Sequence, residues 1–211
     1  MLKKNSIVSA IVLAGLATWL FLNGKEERTI KFIPDKIDKI VLFGDGLVSG
    51  ENSLIEGGYF PHLQQKLSGT QLVTAGKTGD TTESGFQRLS QDVLPLSPNL
   101  VVVTLGLEDL RKGQPLQKTL GNLEKIFDAL HERKIMVAYG GAALPTTGDN
   151  WLMSISQLCQ QKGVLYIDGL LDQVWKDASM QNSEKSFPQD AGFEAVAEKI
   201  FEAISPWTGQ T

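Results

Sequence analysis

Short apolar segments alternate with longer amphipathic segments through most of the chain. The apolar segments predict five β-strands, at 39–43, 71–75, 100–105, 135–139 and 164–168. Their apolar character is continuous, which is typical of parallel strands buried on both faces. Between and after them, amphipathic patterns predict helices near 59–67, 84–94, 116–132, 150–162 and 190–204. The sequence therefore predicts an α/β fold, a three-layer α/β/α sandwich around a mostly parallel five-stranded sheet.

The N-terminus carries a different pattern. No charged residue lies between Ser6 and Leu22, and Lys3 and Lys4 precede this run. Such a run is about long enough to span a bilayer as a helix, and the lysines favour a cytoplasmic N-terminus. The alternative is a cleaved signal peptide, but cleavage after the small residues near position 17 leaves an apolar mature end. We expect an uncleaved signal anchor at 1–24, a polar tether at 25–38, a domain at 39–207 and a tail at 208–211.

These features predict a single-pass protein of the bacterial inner membrane, with its domain in the periplasm. The formal net charge is −4, and the Lys and Arg residues are scattered, so we expect no nucleic-acid partner. The chain has one cysteine, Cys159, which excludes an intrachain disulfide. Cys159 lies in a helical pattern, and we expect a buried small side chain there. We expect neither a metal nor another cofactor.

The first predicted strand runs into a glycine-rich turn, "KIVLFGDGLVSG", at residues 39–50. Such a turn serves either to bind phosphate or to carry a nucleophile. A dinucleotide site needs an acidic residue at the end of the second strand, which here reads "VTAG". A P-loop needs a Lys and a Ser or Thr after the glycines, and neither follows in place. The phosphate-binding interpretation is therefore excluded.

Four segments, taken in order, resemble the sequence blocks of the SGNH/GDSL hydrolases, in the branch of periplasmic arylesterases, thioesterase I and lysophospholipase L1. The segments are "GDGLVSG", "VTAGKTGDTTESGFQRL", "VVVTLGLEDLRKG" and "EKSFPQDAGFEAVAEKI". The resemblance extends from about residue 39 to residue 207. It implies a flavodoxin-like sheet and, for an intact family member, hydrolysis of esters or thioesters by an activated serine.

The resemblance also implies that the catalytic set is degenerate. Gly46 stands where the family has its nucleophilic serine, and Phe187 where it has the base histidine. Glu108 replaces an asparagine that donates to the oxyanion, and Glu184 replaces the aspartate that orients the histidine. Gly79, the glycine donor of the oxyanion hole, is kept.

These replacements predict a loss of chemistry. Glycine has no side chain that can attack an acyl carbon, and phenylalanine cannot accept a proton. In a serine protease, the loss of nucleophile or base alone costs on the order of a million-fold in turnover. An ionised Glu108 repels the oxyanion that it should stabilise. We therefore expect a pseudoenzyme that acts as an accessory or scaffolding subunit of a membrane complex, or that binds a lipid or glycan.

The alternative is a divergent hydrolase that uses an acidic site. If the fold holds, Asp45, Glu108 and Glu184 converge on the old pocket, where carboxylates can bind a divalent cation or cleave a glycosidic bond. The simpler interpretation gives Asp45 and Asp109 loop hydrogen bonds. The other residues expected to line the pocket are Leu107, Asp109 and Pro188. Neither histidine is expected to replace the base: His62 follows a proline in a helix's first turn, and His131 lies on the surface at a helix C-terminus.

Overall fold

Five parallel strands form one sheet in the computed structural model, which describes residues 29–50, 57–184 and 187–209. The spatial order is β2-β1-β3-β4-β5, the flavodoxin-like order. The bounds are β1 Lys39–Gly44, β2 Gln71–Gly76, β3 Leu100–Thr104, β4 Met136–Gly140 and β5 Leu165–Ile167. The structure thus confirms the predicted strands and the α/β fold.

Helices cover both faces of this sheet. The described α-helices are α1 Gly46–Ser49, α2 Phe60–Lys66, α3 Thr82–Asp92, α4 Leu107–Arg111, α5 Leu116–Glu132, α6 Asp149–Lys162, α7 Asp172–Lys176 and α8 Asp190–Ile204. Short 3₁₀ helices lie at Leu94–Leu96, Ala178–Met180 and Ser205–Trp207. The five predicted helices are present, whereas the short helices α1, α4 and α7 were not predicted.

Strand β1 shows why the strands read as continuous apolar runs. Ile40 and Leu42 belong to one hydrophobic core, packed under α2 and α8, while Val41 and Phe43 belong to a second core under α3, α5 and α6. All four side chains are fully buried. Because successive side chains of a strand point to opposite faces, a sheet covered on both sides needs apolar residues at every position.

A buried ion pair ties the carboxyl ends of β1 and β2 to helix α3. The Arg88 Nε lies 2.5 Å from the Asp80 Oδ2, and the Arg88 Nη2 donates to the carbonyl oxygens of Gly44 (3.1 Å) and Ala75 (2.8 Å). The guanidinium carbon also lies 4.5 Å from the centre of the Phe43 ring. The side chains of Arg88 and Asp80 are only 12% and 3% exposed. Arg88 therefore holds two strand ends and the loop after β2 in one arrangement.

The Asp80→Asn substitution tests this role. It removes the buried counter-charge of Arg88 and leaves only the more exposed carboxylate of Asp92, 3.1 Å from the Nη1. We therefore expect a loss of about 3 kcal/mol in the free energy of unfolding, the lower end for a broken buried pair, measured by urea denaturation. Lys118→Met, which breaks the exposed ion pair between Lys118 on α5 and Glu83 on α3, is the control and should cost less than about 1 kcal/mol. Equal losses in the two variants contradict the role given to Arg88.

The N-terminal part of the described chain is attached to the domain. The predicted signal anchor lies outside the described residues, and within the part described no helix has the length and apolarity to cross a bilayer. Residues 29–38, the described part of the predicted tether, pack along the domain. Lys31 donates its backbone N–H to the Gly163 carbonyl (2.9 Å), and Ile37 is buried. The sequence pattern placed the start of the domain at residue 39, but residues 29–38 already pack on it, so the domain begins earlier.

His131 is buried, which corrects its expected surface position. Its ring lies 5.2 Å from the ring of Phe32, centre to centre, and the residue is 9% exposed. Its Nε2 has no hydrogen-bond partner among the described residues. Burial lowers the pKa of His131, and the charges of Lys31 and Lys162 lower this pKa further, against the opposing charge of Asp128. The imidazole is thus held neutral between the N-terminal segment and the last turn of α5.

A lowered pKa in the folded state makes stability depend on pH. Below about pH 6.5, the usual pKa of an unfolded histidine, the unfolded chain takes up a proton that the folded chain resists. His131 therefore contributes a stability loss as the pH falls from about 6.5 to its folded pKa. The variant His131→Leu should lose less stability than the wild type between pH 8 and pH 5, as measured by urea denaturation at each pH.

The matched control is Leu130→Ala, which removes a fully buried side chain without a titratable group from the same turn of α5. It should lower stability by the same amount at every pH and so keep the wild-type pH dependence. If His131→Leu follows the wild-type curve at every pH, His131 is not the group responsible.

Candidate degenerate active site

The turn after β1 places Gly46 at the carboxyl edge of the sheet. Asp45 caps the short helix α1 by accepting the Leu47 backbone N–H on its Oδ1 (3.0 Å), and Gly46 is the first residue of that helix. Both Asp45 and Gly46 are buried. Asp45 therefore orders the turn, as the loop interpretation predicted, and the position of the expected nucleophile carries no side chain.

The loop after β2 carries Gly79 beside this turn. Gly79 has a φ of +77°, a left-handed conformation that glycine adopts without cost, and a Cβ there would meet no other atom within 4 Å. Its carbonyl accepts a hydrogen bond from the Lys112 Nζ (2.7 Å), and the Asp80 N–H donates to the Lys77 carbonyl (3.1 Å). The retained glycine thus keeps the turn conformation of the second block.

Leu107, Glu108 and Asp109 are consecutive on helix α4, which follows β3, and each of the three side chains has different contacts. Leu107 is fully buried in the core under α2 and α8. Glu108 is 9% exposed, and its Oε1 lies 2.8 Å from the Arg111 Nη1, with the Lys112 Nζ 3.8 Å from its Oε2. Glu108 is therefore neutralised by cations one turn further along its own helix.

Asp109 turns away from Glu108 and belongs to the packing of α3 against α5. Its carboxylate accepts from the Thr82 N–H (2.8 Å), the Thr82 hydroxyl (2.6 Å) and the Thr119 hydroxyl (3.0 Å), and the residue is 1% exposed. This corrects the expectation that Asp109 lines the pocket. The alternative interpretation, a structural hydrogen-bonding role, is confirmed.

Phe187, at the position where the resemblance places the base, is 1% exposed. The Arg111 guanidinium carbon lies 4.6 Å from the centre of the Phe187 ring, and Phe193 packs on the same ring at 6.5 Å. The Asn182 side chain accepts the Phe187 N–H (3.2 Å), and the Asn182 N–H donates to the Phe187 carbonyl (2.8 Å). Buried Pro188 pairs with Gln181 in an isolated antiparallel bridge. The loop that carries Phe187 is thus bonded at Phe187 itself, through Asn182, and at the next residue, through Gln181.

Arg111 joins the two altered positions. Its guanidinium pairs with the Glu108 carboxylate and lies over the Phe187 ring, so a carboxylate, a cation and an aromatic ring form one connected group. We call these three residues the Glu–Arg–Phe group. The sequence analysis did not single out Arg111, although its place three residues after Glu108 on a helix is the spacing of an ion pair.

The acidic residues do not assemble into a cation site in the described part of the chain. Glu184 is exposed in a turn, directly before residues 185–186, which lie outside the described ranges. Within residues 29–50, 57–184 and 187–209, no three His, Cys, Asp or Glu side chains are grouped so as to hold a metal ion. The expected convergence of Asp45, Glu108 and Glu184 is therefore not observed.

Other titratable side chains near the site do not replace the base. The His62 Nε2 lies 3.0 Å from the Asp190 Oδ1. Tyr59, which the sequence analysis missed, is fully buried, and its hydroxyl lies 3.4 Å from the Thr104 Oγ1. Burial raises the pKa of Tyr59 well above its usual value, the Thr104 contact opposes this rise and the charge of Asp45 adds to it. Tyr59 therefore stays protonated at neutral pH.

A family model described as GDSL-like Lipase/Acylhydrolase matches residues 42–194, which include the end of β1 and every site residue named above. The chain belongs to this GDSL-like family. A relative described as an arylesterase of Vibrio mimicus is 28% identical over 99 residues, which cover 45% of this chain and 50% of the relative. The aligned region thus spans half the length of that relative.

Solved structures of an esterase, of TesA and of a lipase/acylhydrolase share the fold. The psychrotrophic esterase EstA from Pseudoalteromonas sp. matches 82% of this chain and 99% of its own, with a TM-score of 0.74 and 19% identity. TesA matches 80% of this chain and 99% of its own, with a TM-score of 0.73 and 22% identity. A lipase/acylhydrolase from Enterococcus faecalis matches 81% and 96%, with a TM-score of 0.64 and 23% identity.

A double-mutant cycle tests whether the Glu–Arg–Phe group acts as a unit in this GDSL-like domain. Arg111→Met leaves the buried Glu108 without its closest counter-charge, so we expect a loss of about 1–3 kcal/mol in the free energy of unfolding. The variant Glu108→Gln with Arg111→Met should recover part of that loss, with a coupling of about 1 kcal/mol in urea denaturation.

Lys125→Met is the control, because Lys125 lies over the Phe86 ring on an exposed surface (5.8 Å). It should leave stability within about 0.5 kcal/mol of the wild type. Strictly additive losses for Glu108 and Arg111 contradict a coupled group.

Proposed function

We propose that this GDSL-family domain is a catalytically inactive member of the family. In this proposal, residues 1–24 anchor it in a bacterial inner membrane and the domain faces the periplasm. Its role is that of an accessory or scaffolding subunit of a membrane or envelope complex, or of a module that binds a lipid or glycan at the remnant site.

One observation carries the inactivity: the nucleophile position is Gly46, and the base position is a buried phenylalanine packed under a paired arginine. Acyl transfer needs an attacking atom and a group that accepts its proton. Gly46 offers no attacking atom, and the ring of Phe187 has no lone pair for a proton. The Nε2 of His62, one of the two histidines of the chain, is 3.0 Å from the carboxylate of Asp190 on α8.

The retained features support a binding or scaffolding role. The sheet order, the Gly79 turn and the Arg88–Asp80 pair form a complete frame around positions that carry no nucleophile and no base in this proposal. The Glu–Arg–Phe group gives the altered positions contacts of their own, which is the arrangement of a packed structure rather than of a reaction site. The acidic alternative gains no such support, because Glu108 is paired and Asp109 is bonded to two threonines.

The decisive experiment compares the full-length wild type with a revertant in an esterase and thioesterase assay on short and long acyl substrates. The revertant carries Gly46→Ser, Glu108→Asn, Glu184→Asp and Phe187→His. We expect no turnover above background for the wild type and measurable turnover for the revertant, because the revertant regains a nucleophile, a base and an oxyanion donor.

The matched control is the same revertant with Gly46 left unchanged, which should be as inactive as the wild type. Wild-type turnover that falls with Glu108→Gln or Glu184→Gln contradicts the proposal and identifies the acidic residues as the catalyst. For the accessory role, extraction in mild detergent should recover stoichiometric partners, and a monomer alone argues against it.

A further inference from the structure

The described N-terminal segment lies at the end of the domain opposite to the altered site. Residues 29–38 contact Gly163, His131 and Asn99, which lie shortly before β5, β4 and β3 respectively. These contacts place the segment at the amino edge of the parallel sheet. Gly46 and the Glu–Arg–Phe group follow the carboxyl ends of the strands, so the whole length of the sheet separates them from this segment.

The amino edge exposes apolar side chains beside cations. Phe32 and Ile33 are 39% and 47% exposed, and they are two of the four large apolar side chains that are exposed among the described residues. Lys31 is exposed next to them, and Arg133 and Lys134 are exposed in the turn that follows His131, on which Phe32 packs. We call these five residues the amino-edge patch.

The charges of this edge favour an anionic partner. The patch contributes three exposed cations. Over residues 29–38 and 131–134 the exposed acids are Glu132, Asp35 and Asp38, of which Asp38 is paired with the exposed Lys36, so the cations remain in excess. An adjacent pair of apolar side chains beside several cations suits the interface of a bilayer that contains anionic lipids, because the apolar side chains can enter the interface while the cations remain at the charged headgroups.

The chain length before the patch limits its distance from the predicted anchor. Six residues separate Leu22, the end of the uncharged run, from Thr29. A fully extended chain spans at most about 24 Å over those seven steps. A domain of this size is about 40 Å across. The chain is therefore long enough to bring the amino edge to the bilayer, and too short to bring the far end there with the segment still docked.

We propose that the amino-edge patch binds the surface of an anionic bilayer and that the altered site consequently faces away from the membrane. This inference rests on the membrane anchor of the proposed function. It assigns the remnant site a periplasmic occupant, a protein or a glycan, and excludes a lipid that remains in the bilayer.

The test measures which end of the domain lies near lipid. The full-length chain with Cys159→Ala carries one new cysteine, Ile33→Cys in the patch or, as the matched control, Thr146→Cys in the exposed loop after β4. Each is labelled with an environment-sensitive dye and reconstituted into vesicles of phosphatidylcholine and phosphatidylglycerol that contain a lipid-borne quencher. We expect the label at 33 to be quenched at least about twofold more than the label at 146.

A second experiment tests the charges of the patch. The triple variant Lys31→Gln, Arg133→Gln and Lys134→Gln, or a higher salt concentration, should reduce the difference in quenching between the two labels.

The outcomes separate this inference from the anchor. Flotation with the vesicles measures whether the chain is attached to the membrane at all. A chain that does not float contradicts the membrane anchor of the proposed function. A chain that floats with equal quenching at both labels, or with stronger quenching at 146, overturns the proposed orientation. Quenching at 33 that is the same in pure phosphatidylcholine, and unchanged in the triple variant, overturns the anionic surface as the partner.

Discussion

The close parallel pairing of β1 with both β2 and β3 is the constraint on which the site depends. Gly44, the last residue of β1, is opposite Gly76 on one side and Thr104 on the other. A Cβ on Gly44 would lie 2.4 Å from the Thr104 Oγ1, so only glycine allows this approach. Because the three strands end together, the turns that follow them meet at one edge. Arg88 then fixes two of those ends through their carbonyl oxygens.

On this frame, the positions at which we propose that the reacting side chains were replaced form a packed arrangement. The Glu108 carboxylate, at the expected position of an oxyanion donor, is paired with Arg111. The same guanidinium covers the ring of Phe187, at the expected position of the base. This group is compatible with a partner-binding role, because binding a partner needs no reactive side chain. The ion pair and the ring contact also hold Glu108, Arg111 and Phe187 together.

Much of the fold was predictable from the sequence because it depends on local patterns. Strands buried on both faces give continuous apolar runs, and the long helices α5 and α8 end where their patterns end. The short helices α1 and α4 were not predictable in this way, because four or five residues are stabilised by the loops that they enter rather than by a helical pattern.

The side-chain environments were harder to predict, since they depend on residues distant in sequence. The pattern predicts an exposed His131 at a helix end, but the residue is buried, and Phe32, about a hundred residues earlier in the chain, packs on its ring. Asp109 reads as a neighbour of Glu108, but the helix turns its carboxylate towards Thr82 and Thr119. Tyr59 gave no signal, because a single tyrosine beside a proline-led helix has no distinctive pattern.

The central claim is that the domain has no activated nucleophile. The most direct measurement is the intact mass of the full-length wild-type protein after incubation with an alkyl fluorophosphonate, which phosphonylates activated serines, with the four-residue revertant alongside. The account predicts an unchanged mass for the wild type and a single added alkylphosphonyl group for the revertant. A stoichiometric adduct on the wild type would contradict it, and peptide mapping would then identify the nucleophile.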